Sequence, residues 1–236
     1  MIFYKLYLLL GLLELTLELL EIQVGVFAVK PLLMPILFWA AKGESSMSIS
    51  LKRLVLWALF FSWVGDVSLL FESAHKIFFV LGLLGFLSAH FMYISCLGKT
   101  IDFRQVKSFK GQLGTALMVG LLVLLMTYFE LKGNSTYAGF LRIAVPMYSI
   151  VLGFLVVLSA NQLDSKTPSG ILLFSGTLLF MLSDMLIALS KFSSSLNFMS
   201  DGLRSFFIML TYILAQLLIV RSLSTKTGPN THAYLQ

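Results

Sequence analysis

An all-α bundle crossing a membrane about eight times is the fold class this sequence predicts, and three observations predict it. Hydrophobic residues fill 58% of the 236 positions and charged ones only 12%, at a mean hydropathy of +0.92, a balance foreign to water-soluble domains. The apolar residues gather into runs close to the roughly 20 residues that a spanning helix requires. Short polar gaps separate the runs, and most of the 17 Lys and Arg lie in those gaps. The net charge of +6 is therefore read as topogenic rather than as a nucleic-acid footprint.

Taken in order, the runs cover residues 2–21, 24–41, 54–71, 77–97, 112–130, 138–160, 169–190 and 203–221. They form a single transmembrane domain, 1–223, followed by a polar tail, 224–236. The first run carries Glu14, Glu18 and Glu21 and no small-residue cleavage site, so it reads as a span rather than a signal peptide. Lys30-Pro31 interrupts the second, and the proline is expected to open a shorter helix after an irregular lead-in, Val24 to Val29. Cys96 is the single cysteine, which excludes an intrachain disulfide and any multi-cysteine metal site.

Lysines and arginines in alternate gaps divide eleven to six, which places both termini in the cytoplasm, with a bacterial cytoplasmic membrane as the expected setting. The third and seventh runs then both travel outward. Each carries an acid about six residues before its outer end, roughly 9 Å by helix rise: Asp66 in FSWVGDVSLLF and Asp184 in LLFMLSDMLIALSKF. A carboxylate inside hydrocarbon is unfavourable by several kcal/mol, so two of them at one depth are the leading functional candidates. Lys30, Arg142, Tyr148, Tyr212, Glu14 and Glu18 fall in the same half of the membrane. His90, Tyr93 and Gln216 read as deeper. The three glutamates of the first run share one helical stripe; Glu21 is expected at the outer interface, while Glu14 suits either the interface or the interior. WVGD followed by Ala89-His90 parallels MLSD followed by Ala215-Gln216, the trace that two parallel four-helix repeats would leave.

Several stretches together resemble the YhhN family of multi-span membrane proteins. They are Lys30-Pro31, VGDVSLLF, GLLGFLSAHFMYI (Gly82 to Ile94), PMYSIVLGFLVVLSA (Pro146 to Ala160), GTLLFMLSDMLIALSKF (Gly176 to Phe192) and TYILAQLLIVRSL (Thr211 to Leu223). One departure is visible: animal members typically read Asn-Lys-Phe where this chain reads Ser190-Lys191-Phe192. The resemblance implies a lysoplasmalogenase activity, cleavage of the vinyl ether of a lysophospholipid to a fatty aldehyde and a glycerophospho-base. Membrane lipids are then the expected surroundings and a lysophospholipid the expected partner, with no cofactor, no metal and no nucleic acid.

Vinyl ethers hydrolyse through protonation of the β-carbon, which creates an oxocarbenium ion that water captures. Asp66 and Asp184 in one low-dielectric pocket suit that demand, because desolvation and mutual repulsion keep a proton on one carboxyl while the other stays ionised. Whichever keeps the proton would act as general acid, and the ionised one would face the cation. Lys30 and Arg142 are candidates for the substrate phosphate, with Lys30 alternatively neutralising one aspartate. His90 suits a proton relay or a headgroup contact, and Tyr93, Tyr148, Tyr212 and Gln216 supply hydrogen bonds. No GxSxG elbow occurs, and His75 and His232 lie in a loop and the tail, so a serine hydrolase of that type and a three-histidine zinc site both lack their residues. A mixed metal site of His90 with the aspartates is disfavoured by the depth assigned to His90. The rival reading is a proton-coupled transporter, which would use the same acids at a site near the midplane.

Overall fold

The computed structural model describes residues 2–100, 141–163, 167–192 and 198–225. Among them are seven helices: α1 (Ile2–Leu19), α2 (Gln23–Lys42), α3 (Ile49–Leu70), α4 (Lys76–Thr100), α5 (Leu141–Ala160), α6 (Pro168–Phe192) and α7 (Asp201–Ser224). The all-α polytopic class is borne out. Five helices, α2, α3, α4, α6 and α7, are long and apolar enough to cross a membrane. The predicted run 112–130 and most of the tail lie outside the described residues, so the count of eight is not reached within them.

Helices adjacent in sequence are adjacent in space, and α7 returns to pack on α1, closing the bundle. Two helix pairs are the most intimate, α3 with α4 and α6 with α7, and glycine explains both. A Cβ at Gly85 of α4 would stand 2.8 Å from the backbone nitrogen of Gly65 in α3, and one at Gly176 of α6 would stand 3.0 Å from the backbone nitrogen of Ile219 in α7. Without side chains there, the backbones meet, as small residues permit between membrane helices. Gly85→Ala is expected to destabilise the protein by about 1–3 kcal/mol through overpacking against backbone that cannot yield, measured as a lower melting temperature in detergent.

The second helix corrects an expectation. Rather than opening at Pro31, α2 runs continuously from Gln23, with Pro31 and Pro35 both inside it. A proline at position 35 cannot donate to the carbonyl four residues earlier, which frees the Pro31 oxygen. Trp63 of α3 fills that vacancy, its Nε1–H donating to Pro31 O at 2.9 Å. The break is thus repaired by a neighbouring helix, as apolar surroundings demand. Trp63→Phe keeps the ring but orphans the carbonyl, and a loss of about 1–3 kcal/mol is expected in chemical denaturation.

Helix ends follow ordinary capping. Ser48 and Ser200 accept from the amides of Leu51 and Leu203 at the starts of α3 and α7. Glu21, which ends α1 in the left-handed region at φ 55°, is exposed, and its carboxylate accepts from the Gly202 amide at 2.9 Å. It therefore fastens α1 to the first turn of α7. Outside the bundle, large apolar side chains such as Leu9, Leu12, Met147 and Ile150 stay 60–64% exposed, as a lipid-facing surface should. The interior carries a polar column as well as a packed core.

Candidate functional site

Asp66 projects from α3, 5% exposed, and Asp184 from α6, its side chain 9% exposed. Lys191 near the end of α6 pairs with Glu72 just beyond α3, which ties the two helix ends at one height. Six and seven residues back from those partners, the two aspartates lie at nearly the same depth. Both line one cavity of about 370 Å³, within the size range of ligand sites. Glu72, Lys191, Asp201 and Arg204 also line it, at the end of the bundle where α3 and α6 finish and α7 begins.

Each carboxyl is held by a tyrosine on another helix. Tyr212 of α7 donates to Asp66 Oδ2 at 2.8 Å, and Tyr148 of α5 donates to Asp184 Oδ2. The His90 ring, fully buried on α4, donates through Nδ1 to the Phe86 carbonyl one turn back. With Nδ1 carrying the hydrogen, Nε2 of the neutral ring presents a lone pair. That Nε2 has no hydrogen-bond partner and stands 3.5 Å from Asp184 Oδ2. Phe180 and Tyr148 meet the imidazole edge to face, with centroids 4.7 and 5.3 Å away, so its orientation is fixed.

The depth assigned to His90 from sequence needs correction, and helix geometry supplies the reason. Side chains lean towards the N-terminus of their own helix. On α6 that direction is away from the cavity mouth and on the antiparallel α4 it is towards it, so Asp184 and His90 converge although their Cα atoms differ in height. The depth argument against a mixed metal site falls with it; still, among the described residues no three His, Cys, Asp or Glu side chains converge as ligands.

Lys30 corrects a second expectation. Its Nζ donates to Glu18 Oε1 at 2.7 Å and stands 3.9 Å from Glu14 Oε1, so its hydrogen-bonded partner is a glutamate of α1 rather than either aspartate. Glu14 and Glu18 are buried, at 0% and 5% exposure, which places that part of the stripe in the interior. Lys30 and Glu18 both line the cavity. Tyr93 and Gln216 do not. Tyr93 donates to Gln216 Oε1 at 2.6 Å and Gln216 donates to Ser62 Oγ at 2.9 Å, a buried link joining α4, α7 and α3 outside the cavity wall. Arg142 opens α5, and its side chain lies outside the described residues.

Sequence reasoning did not single out Arg204, which falls at the start of the last run, 203–221. Ser200 followed by Asp-Gly-Leu is an N-cap signal that starts α7 two residues earlier and puts Arg204 within its first turn, in the cavity wall.

A closed helical bundle with buried acids around a cavity open at one end defines an integral multi-pass membrane protein with a polar site inside its spanning region. The chain belongs to the YhhN family, whose model matches residues 26–223, and the resemblance read from the motifs is borne out. It is 32% identical over 182 residues to human lysoplasmalogenase TMEM86A, a match covering 74% of this chain and 66% of that relative. The chain thus matches slightly less than two thirds of the relative's length. No solved structure matches it.

Proposed function

We propose that this protein hydrolyses the vinyl ether of a lysoplasmalogen, with Asp184 as general acid and Asp66 as the ionised partner. The observation that carries this reading is that both carboxyls line one cavity while only Asp184 has an imidazole lone pair beside it. A proton is retained by the Asp184–His90 pair whichever of the two atoms holds it. Each carboxyl accepts a tyrosine hydroxyl, so what sets the two apart is the His90 ring beside Asp184, and mutual repulsion leaves Asp66 as the ionised member.

Asp184 transfers its proton to the β-carbon, and positive charge spreads over the ether oxygen and the adjacent carbon. The Asp66 carboxylate faces that cation, as paired carboxyls do in glycoside hydrolysis. Water adds to the carbon and yields a proton to Asp66. The hemiacetal then collapses: its hydroxyl proton restores Asp184, Asp66 protonates the departing glycerol oxygen, and one water has been consumed per aldehyde released. His90 holds or returns the Asp184 proton. Tyr148 and Tyr212 keep the two carboxyls in place. Family membership and likeness to a protein named as a lysoplasmalogenase support the same chemistry.

The test is release of fatty aldehyde from a 1-alkenyl lysophospholipid by the purified protein in detergent. Aldehyde in proportion to enzyme is expected; its absence with folded protein would remove the reading. His90→Gln, which keeps a polar group but cannot carry the proton, is expected to lower kcat by about 10- to 100-fold with little change in KM, the range of a general-acid contribution weakened rather than lost.

A further inference from the structure

Among the described residues three cations line the cavity, and two of them are already matched by carboxylates facing it. Lys30 holds Glu18 and Lys191 holds Glu72. Arg204 differs. Its Nη2 donates to Asp201 Oδ1 at 2.6 Å and to Met199 O at 3.4 Å, but the Asp201 side chain is 88% exposed, so water competes for that carboxylate. The Arg204 side chain is only 19% exposed, and its Nε is buried without an acceptor. A guanidinium presents five N–H donors in a planar fork, and a buried donor left unpaired is unfavourable. What the buried side of the fork lacks is an acceptor.

We infer that Arg204 binds the phosphate of the lysophospholipid and so holds its headgroup at the cavity mouth; this rests on the hydrolase reading above. The spacing agrees. Ser183, next to Asp184, donates to the carbonyl of Ile208 at 3.0 Å, which sets α7 against α6 at that level. Arg204 lies four residues nearer the mouth, about 6 Å by helix rise. In a lysoplasmalogen five bonds separate the ether oxygen from phosphorus, about 6 Å at ordinary bond lengths. A phosphate on Arg204 therefore leaves the vinyl ether beside the acids, with the acyl-like chain continuing between helices. The fork geometry of arginine favours two phosphate oxygens at once. Lys30, the phosphate candidate named from sequence, keeps its place on Glu18.

The experiment uses full-length protein in a maltoside detergent, which carries no phosphate, and compares a 1-alkenyl lysophosphoethanolamine with the 1-alkenylglycerol that lacks the phosphate. In Arg204→Gln the ratio of kcat/KM for the two substrates is expected to fall about 30-fold, chiefly through KM for the phospholipid, as loss of a charge-assisted hydrogen bond predicts. A merely structural arginine would slow both substrates alike, and that result overturns the inference. Arg204→Lys, which keeps the charge without the fork, serves if the glutamine variant does not fold, and a clear fall in the same ratio is expected there too. A second readout needs no turnover. The inert 1-alkyl lysophosphoethanolamine should raise the melting temperature of the wild type more than that of the variant, whereas 1-alkylglycerol should shift both equally. Equal shifts by the phospholipid would overturn the role of Arg204; a larger wild-type shift without any aldehyde release would retain phosphate binding and discard the hydrolase.

Discussion

Asp184→Asn and Asp66→Asn are each expected to reduce aldehyde release by at least about 100-fold, equivalent to about 2.7 kcal/mol of transition-state stabilisation. Asparagine preserves the shape of each side chain and an oxygen for the tyrosine hydroxyl that holds it, at Tyr148 for Asp184 and at Tyr212 for Asp66. What it removes differs between the two. At position 184 the transferable proton disappears, so β-carbon protonation has no donor. At position 66 the proton donor survives but the negative charge opposing the oxocarbenium ion is gone. Elution as a folded species together with a near-wild-type melting temperature separates lost chemistry from lost structure. Activity retained in both variants would remove the assigned roles.

The second large effect concerns stability rather than turnover. Lys30→Met should destabilise the protein by about 3 kcal/mol, because it leaves buried carboxylates without their cation. Glu18 loses its 2.7 Å partner and Glu14, which has no hydrogen bond to either oxygen, loses the nearest positive charge. Adding Glu18→Gln to Lys30→Met should recover a substantial part of that loss, since the pair interacts directly and its effects should not add. Denaturation midpoints of the wild type, Lys30→Met, Glu18→Gln and the double variant in one detergent decide it. A Lys30→Met protein as stable as the wild type would mean that the ammonium contributes nothing to holding α1 against α2.

Much of the fold was legible because the membrane imposes a simple rule, and hydrocarbon-length apolar runs have few other uses. The boundaries of α1, α4 and α6 lie within a few residues of the runs that predicted them. Asp66 and Asp184 stood out for the same reason, since acids are rare in that setting. What escaped were relations across helices. The glutamate stripe showed which face of α1 was polar but not that Lys30 stood opposite. Lys30-Pro31 looked like an interruption, and nothing in α2 announces Trp63 as the donor that serves the Pro31 carbonyl. His90 was placed by counting backbone rise, and the lean of side chains on antiparallel helices brought it to Asp184. Arg204 lay inside the last predicted run, but nothing there shows that α3 and α6 end beside it to form the cavity. These are contacts between elements distant in sequence, where periodicity carries no information.

Hydrolysis in heavy water tests the mechanism most directly. If an acid held in the site protonates carbon, aldehyde formed by the wild type and trapped at once by reduction must carry its solvent deuterium on one face only, as a single enantiomer at the carbon next to the former carbonyl. Racemic label would mean that an enol leaves the site and is protonated in water, and the proton placed between Asp184 and His90 would have no part in the reaction.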